Sequence, residues 1–141
     1  MTKEELIKEA IKARDYSYSP YSKFKVGSAL LTKDGRVFLG ANIENASFPV
    51  TMCGERNATY NAYCHGVKKE DISAIAIVAD TSVPCSPCGA CRQVLAELLP
   101  EDAKIYLANL KGDIKETIIK DLLPYAFDAS ELKLWKADLL H

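Results

Sequence analysis

The stretch ISAIAIVAD, residues 72–80, constrains the fold more than any other part of the chain. It is a nearly continuous apolar run of strand length, which is typical of a strand covered on both faces. Segments with helical periodicity precede and follow it, which favours a mixed sheet between helices. The 141 residues are the length of one domain. The sequence therefore predicts a single α/β domain over residues 1–141, with helices on both faces of the sheet.

Capping residues, turns and periodicity predict the other elements. Thr2 and Glu5 have the form of a capping box and open a first helix that ends near Arg14. Asp34-Gly35 is a hairpin signal between two strands that run from about residue 26 to residue 43. The remaining prediction is, in order, the helix CGERNATYNAYCHG closed by Gly66, the strand at 72–80, the helix CRQVLAELL stopped by Pro100, the strands KIYLANL and IKETI, and short helical pieces in DLLPYAFDASELKLWKADLL.

Charge and cysteine content exclude several classes of protein. The chain has 18 basic and 19 acidic side chains and a net charge of −1, without a Lys/Arg stripe, so no nucleic-acid partner is expected. No apolar run is long enough for a membrane span, and the charged start MTKEELIKEAIKARD is not typical of a secretory signal. Five cysteines are an odd number for a disulfide scaffold and favour metal binding or chemistry, so we expect a cytoplasmic protein.

Three cysteines, Cys85, Cys88 and Cys91, recur at intervals of three residues. A bacterial iron–sulfur run would need a fourth cysteine, and a zinc ribbon would need a second C-x-x-C pair. A thioredoxin-like redox pair remains an alternative, because the run follows a predicted strand and opens a predicted helix. That alternative leaves Cys53 unexplained.

Cys53 and the Cys88/Cys91 pair lie at the starts of two predicted helices, where the helix dipole and free N–H groups favour thiolates. Three cysteines can fill three corners of a tetrahedral zinc site and leave the fourth corner for water. Glu55 lies about 200° around the helix from Cys53, so it can approach such a metal only beyond the helix end. There it could move a proton without ligating the metal.

The pattern C-x-E followed by P-C-x-x-C resembles the signature of zinc-dependent nucleoside and nucleobase deaminases. The segments CGER and PCGACRQ, together with PYSKF, NIENA and LLP, are similar to those of the small homotetrameric cytidine deaminases. The resemblance covers nearly the whole chain and implies a three-layer α/β/α sandwich with a mixed five-stranded sheet, beginning with a helix and a β-hairpin. It also implies a homotetramer with active sites at subunit interfaces, one Zn²⁺ per subunit, and hydrolytic deamination of cytidine and 2'-deoxycytidine in pyrimidine salvage.

The resemblance implies a role for each matching residue. Cys53, Cys88 and Cys91 would hold zinc, and Glu55 would carry protons to N3 of cytosine and to the leaving amine. The substrate contacts would be Phe24, which packs on the substrate; Asn42 and Glu44, which bind the ribose hydroxyls; the backbone of Gly54 and Ser86, which reads the pyrimidine edge; and Phe127, with Phe48 as a second candidate, which would cover the base from neighbouring subunits.

Four further residues carry expectations of their own. Arg56 is expected to compensate the negative charge of a three-thiolate site. Gly54 stands where the family usually has alanine, and little effect is expected. Cys85 is not required by the family pattern and is predicted not to be a ligand, whereas Cys64 is expected to be a small buried residue.

Two rival functions remain. One is a deaminase for a related aminopyrimidine nucleoside such as blasticidin S, although Asn42-x-Glu44 favours a plain ribose. The other is a zinc-stabilised binding module without turnover. A polynucleotide substrate is disfavoured, because the chain is nearly neutral and Glu44 would repel a phosphate.

Overall fold

Residues 72–79 of the apolar run form the central strand of one five-stranded sheet in a computed structural model that describes residues 1–132. The strand order is β2-β1-β3-β4-β5. The strands are β1 (Val26–Thr32), β2 (Val37–Ala41), β3 (Ile72–Ala79), β4 (Lys104–Asn109) and β5 (Ile114–Thr117). The helices are α1 (Lys3–Ala13), α2 (Gly54–Cys64), α3 (Gly89–Leu98) and α4 (Ile119–Leu122).

The sheet is mixed, as the sequence predicted. β1 pairs antiparallel with both β2 and β3, β3 pairs parallel with β4 through the register Ile75↔Ile105, and β4 pairs antiparallel with β5. Parallel neighbours need a crossover connection, and α3 lies between β3 and β4 in the chain. The predicted hairpin is confirmed, with Gly35 at φ +90° in its turn.

Strand β3 is buried on both faces because alternate residues enter two different cores. Ala74, Ala76 and Val78 pack in the core that contains Leu6 and Ala10 of α1. Ile75 and Ile77 pack in a second core with residues of α2 and α3, namely Ala58, Ala62 and Leu95. The predicted arrangement of helices on both faces is therefore confirmed, and the sheet is the middle of three layers.

Local signals set the helix boundaries. In the capping box, the Glu5 N–H donates to Thr2 Oγ1 at 3.1 Å and the Thr2 N–H donates to Glu5 Oε1 at 2.9 Å. Helix α2 is followed by Gly66 at φ +85°, and α3 ends two residues before Pro100. In the tail, α4 and a 3₁₀ turn at Ala129–Glu131 match the predicted short helical pieces, and the remainder of that prediction, residues 133–141, lies outside the described residues.

The prediction that Cys64 is buried is wrong, since its side chain is exposed. The buried face of α2 includes Ala58 and Ala62, which are four residues apart. Cys64 lies two positions beyond Ala62, about 200° around the helix, and therefore faces away from the core. Within residues 1–132, no helix is both long and apolar enough to cross a membrane.

Candidate active site

Two helix N-termini converge and carry the predicted ligands. Cys53 is the N-cap of α2, with φ −78° and ψ 155°, and Cys88 is the N-cap of α3, with φ −69° and ψ 170°. Both residues therefore have extended backbone just before a helix begins. Cys91 lies in the first turn of α3 and is fully buried. Free N–H groups at helix starts stabilise nearby thiolates.

The structure brings the three predicted ligands, Cys53, Cys88 and Cys91, into one cluster. Their Sγ atoms all lie within 4.8 Å of one another, and those of Cys88 and Cys91 are 3.4 Å apart. Tetrahedral zinc with Zn–S bonds of about 2.3 Å requires sulfurs roughly 3.8 Å apart. The spacing and the all-thiol donor set therefore fit zinc, and three protein ligands leave one coordination position for water.

Arg56 places a positive charge against this cluster. Its Nη2 donates a hydrogen bond to Cys53 Sγ at 3.3 Å, and its Nε is buried with no hydrogen-bond partner within residues 1–132. Hydrogen bonding with Cys91 and with Arg56 lowers the pKa of Cys53. The same contact with Cys53 raises the pKa of Arg56. The thiolate form of Cys53 is thus stabilised by its neighbours.

Glu55 is the only carboxylate in direct contact with the cluster among the described residues. Its side chain is 4% exposed, and its Oε1 accepts a hydrogen bond from Cys91 Sγ at 3.0 Å. Burial raises the pKa of Glu55. Because Cys53 is the N-cap and Glu55 the second helical residue, the cluster lies beyond the helix end, as the sequence predicted.

A cavity of about 190 Å³ opens beside the cluster. Seven of the residues predicted to form the site line it: Phe24, Asn42, Cys53, Gly54, Glu55, Ser86 and Cys88. Its mixed apolar and polar lining is typical of a small-molecule site. The structure thus brings together, at one cavity, residues from four separate segments of the chain.

Sequence reasoning missed four residues that also line this cavity, namely Val26, Thr51, Met52 and Cys85. Thr51 and Met52 directly precede Cys53, and Val26, at the start of β1, lies two residues after Phe24. Their closeness in sequence to predicted site residues could have identified them as cavity residues. Cys85 is buried and lies outside the three-cysteine cluster. Burial raises its pKa to about 11.

Asn42 and Glu44 are both buried and hold the loop before β1. Asn42 Oδ1 accepts from the Val26 N–H at 2.9 Å and from Ser17 Oγ at 2.5 Å, and its Nδ2 donates to the Phe24 carbonyl at 2.7 Å. Glu44 is not among the residues that line the cavity. Its carboxylate accepts hydrogen bonds from the same loop, which lowers its pKa, chiefly through the Ser22 hydroxyl.

Arg92 fixes the loop that carries Ser86. Its Nη2 donates to Ser86 Oγ at 2.7 Å, its Nε to the Pro87 carbonyl at 2.9 Å and its Nη1 to the Leu122 carbonyl at 2.7 Å. One guanidinium therefore connects the cavity wall to the end of α4. The loop that carries Ser86 is therefore held by Arg92 of α3, which also bonds to the end of α4.

The structure does not bring Phe127 or Phe48 into the cavity. Phe127 is 52% exposed and lines a different cavity of about 210 Å³, and Gln93 Nε2 donates to its carbonyl at 2.9 Å. Phe48 lies in a 3₁₀ turn and is 66% exposed. Neither aromatic ring contributes to the cavity of its own chain.

Residues 1–107 match the family model described as the cytidine and deoxycytidylate deaminase zinc-binding region. A cytidine deaminase of Halalkalibacterium halodurans is 58% identical over 132 residues, which cover 94% of this chain and 98% of that protein. A cytidine deaminase of Sporosarcina psychrophila is 52% identical over 132 residues, which cover 94% of this chain and 96% of that protein.

A crystal structure of cytidine deaminase from Burkholderia pseudomallei superposes with a TM-score of 0.88 at 48% identity, covering 90% of this chain and all of that one. The fold and the site define a zinc-binding deaminase domain. The chain belongs to the cytidine and deoxycytidylate deaminase family. The redox-pair alternative fails, because Cys53 completes a cluster with Cys88 and Cys91 and the family is zinc-binding.

Proposed function

We propose that this chain is a zinc-dependent hydrolase that deaminates cytidine and 2'-deoxycytidine to uridine and 2'-deoxyuridine and releases ammonia. The observation that carries the proposal is the buried Glu55 carboxylate, in contact with a three-cysteine cluster at the wall of a small-molecule cavity. High identity to cytidine deaminases over nearly the whole chain supports the same substrate class.

Cys53, Cys88 and Cys91 would hold the metal, and zinc in such a site supplies a nucleophilic water at neutral pH. Glu55 would carry one proton to N3 of the cytosine ring and a second proton to the 4-amino group. Both protons would come from the water molecule whose oxygen adds to C4, and the 4-amino group would leave as ammonia. The carboxylate can perform both transfers because it lies beside the cluster without being one of its three sulfur ligands.

Substrate recognition is assigned to four predicted residues that line the cavity and to Glu44, which does not line it. The backbone of Gly54 and Ser86 reads the polar edge of the pyrimidine, and the Phe24 ring packs against the substrate. Asn42 and Glu44 bind the ribose hydroxyls, for which an amide and a carboxylate are suited. Asn42 retains one N–H that the contacts among residues 1–132 do not use.

Arg56 compensates the negative charge of three thiolates. Its guanidinium donates to Cys53 Sγ and is partly buried beside the cluster. Drawing charge from a sulfur ligand makes the metal a stronger acid toward its fourth ligand. Arg56 therefore tunes the site without contacting the substrate.

We infer further that the working enzyme is a homotetramer whose active sites lie at subunit interfaces, with residues 1–141 as one domain in each subunit. The exposed rings of Phe48 and Phe127 support this, because they lie outside the cavity of their own chain and are available to cover the base in a neighbouring one. Exposed Tyr16, Tyr18 and Tyr60 add apolar surface of the kind that subunit interfaces bury. A cytoplasmic location fits five cysteines without a disulfide in the described residues.

The function is tested by following the ultraviolet absorbance change of cytidine and 2'-deoxycytidine, with zinc measured on the same sample. The variant Glu55→Gln should lose about 100- to 10,000-fold in kcat while keeping its zinc, because a proton carrier is removed and no ligand is touched. Glu97→Gln, at an exposed carboxylate on α3, is the matched control and should retain full activity. Wild-type protein that holds one zinc per chain and leaves both nucleosides unchanged would refute the proposal in favour of a binding module.

A further inference from the structure

The loop before β1 surrounds the Glu44 carboxylate with hydrogen-bond donors. Glu44 Oε1 accepts from the backbone N–H groups of Tyr21 and Ser22, both at 3.1 Å. Glu44 Oε2 accepts from the Ser22 hydroxyl. Two hydrogen bonds fill the usual acceptor positions of Oε1, whereas Oε2 keeps one position among the contacts made within residues 1–132. Oε2 is therefore the oxygen left to receive a further donor.

The Ser22 hydroxyl is held so that its proton faces Glu44. Ser22 Oγ accepts a hydrogen bond from the Phe24 N–H at 3.0 Å, so its own O–H is free to donate to the carboxylate. The residue between them, Lys23, has φ +60°, in the left-handed region that non-glycine residues seldom adopt. This turn brings the Phe24 N–H back onto the Ser22 side chain, so the local backbone conformation determines the direction of the hydroxyl.

We propose that Ser22 is a positioning residue for nucleoside recognition, whose hydroxyl orients the Glu44 carboxylate so that Oε2 accepts from a ribose hydroxyl. The inference rests on the proposed function, in which Glu44 binds the ribose. Ser22 itself does not contact the substrate. The Ser22 hydroxyl occupies one acceptor position of Oε2 and thereby fixes the direction in which the second acceptor position of Oε2 points.

The electrostatics of the pair agree with this assignment. The hydrogen bond from Ser22 is the largest cause of the lowered pKa of Glu44, so the carboxylate remains an ionised acceptor at neutral pH. Hydrogen bonds to charged groups are stronger than neutral ones. Without the Ser22 hydroxyl, Oε1 would still be held by two N–H groups. Rotation of the carboxylate group, which sets the position of Oε2, would no longer be restrained.

The test is a kinetic comparison on cytidine of the wild-type enzyme, Ser22→Ala and Ser22→Thr. Ser22→Ala should raise KM about tenfold and leave kcat within twofold, because binding of the ribose is weakened and the proton transfers are untouched. Ser22→Thr retains the hydroxyl and should bring KM back to within threefold of the wild-type value. Ser82→Ala, at an exposed loop serine, is the matched control and should match wild type.

A double-mutant cycle with Glu44→Ala separates positioning from general loop damage. In the Glu44→Ala background, Ser22→Ala should change kcat/KM by less than twofold, since there is no carboxylate left to orient. An equal loss in both backgrounds, an unchanged KM for Ser22→Ala, or a loss confined to kcat would overturn the inference. Cytidine turnover by the wild-type enzyme tests the proposed function separately, so the two failures are distinguishable.

Discussion

Gly40 in β2 controls how closely helix α2 approaches the sheet. A Cβ at Gly40 would lie 2.1 Å from the Ala58 backbone nitrogen and 2.6 Å from the Gly54 carbonyl oxygen. Ordinary contact begins near 3.4 Å, so the Ala58 contact requires the helix or the strand to move by 1.3 Å. These atoms are backbone and cannot rotate away. Gly40→Ala must therefore displace the N-terminal half of α2 relative to β2.

The displacement should affect both stability and activity. Overpacking a core typically costs about 1–3 kcal/mol, and contact with two backbone groups favours the upper end. For a domain of this size, 3 kcal/mol corresponds to a decrease in Tm of about 12 °C. Because Cys53 and Glu55 lie at the start of α2 and their partners lie on α3, a shift of this size should also lower kcat about 100-fold.

Gly27→Ala is the matched control for this prediction. A Cβ at Gly27 would lie 2.0 Å from the Ala10 carbonyl oxygen, in α1 on the opposite face of the sheet. Its Tm should fall by a similar amount, but its zinc content and kcat, measured at a temperature at which both variants are folded, should stay within threefold of wild type. Equal losses of activity in the two variants, or full activity in Gly40→Ala, would refute the link between β2–α2 packing and site geometry.

Two further predictions concern the metal cluster. Arg56→Gln should keep the fold but lower kcat or accelerate loss of zinc to a chelator, since Cys53 loses its positively charged donor; unchanged kinetics and zinc content would contradict the assignment. Cys88→Ser should lose zinc in metal analysis, whereas Cys85→Ser should retain it, because the Cys85 thiol lies outside the cluster. A Cys85→Ser protein without zinc would show that Cys85 takes part in holding the metal.

The sequence predicted the sheet and the cysteine cluster because both leave local signals. Uninterrupted apolar residues from Ile75 to Ala79 correspond to burial on two faces, and the structure places two separate cores against them. Cysteines at the starts of two helical patterns likewise predicted one metal site, since they can fill three corners of one tetrahedron, and the structure brings their Sγ atoms together. Each of these inferences needed only the type of element and the position of a residue within it.

The hydrogen bonds around Glu44 leave no comparable signal. Ser22 and Glu44 are 22 positions apart, and their contact depends on the loop conformation at Lys23 and on where that loop lies on the sheet. Exposure of Cys64 was missed for a similar reason. Its environment depends on which face of α2 is buried, and small residues such as Ala58 and Ala62 mark that face only weakly.

Because the cluster is divided between two helices, we expect packing far from the cluster to affect its geometry. Cys53 and Glu55 move with α2, whose distance from the sheet depends on the missing side chain at Gly40. Cys88 and Cys91 move with α3, which follows directly from the central strand β3 through a loop fixed by Arg92. The Glu55–Cys91 hydrogen bond of 3.0 Å links α2 to α3, so its length depends on the relative position of the two helices. A site of this design depends on the close approach of two helices as much as on the identity of its ligands.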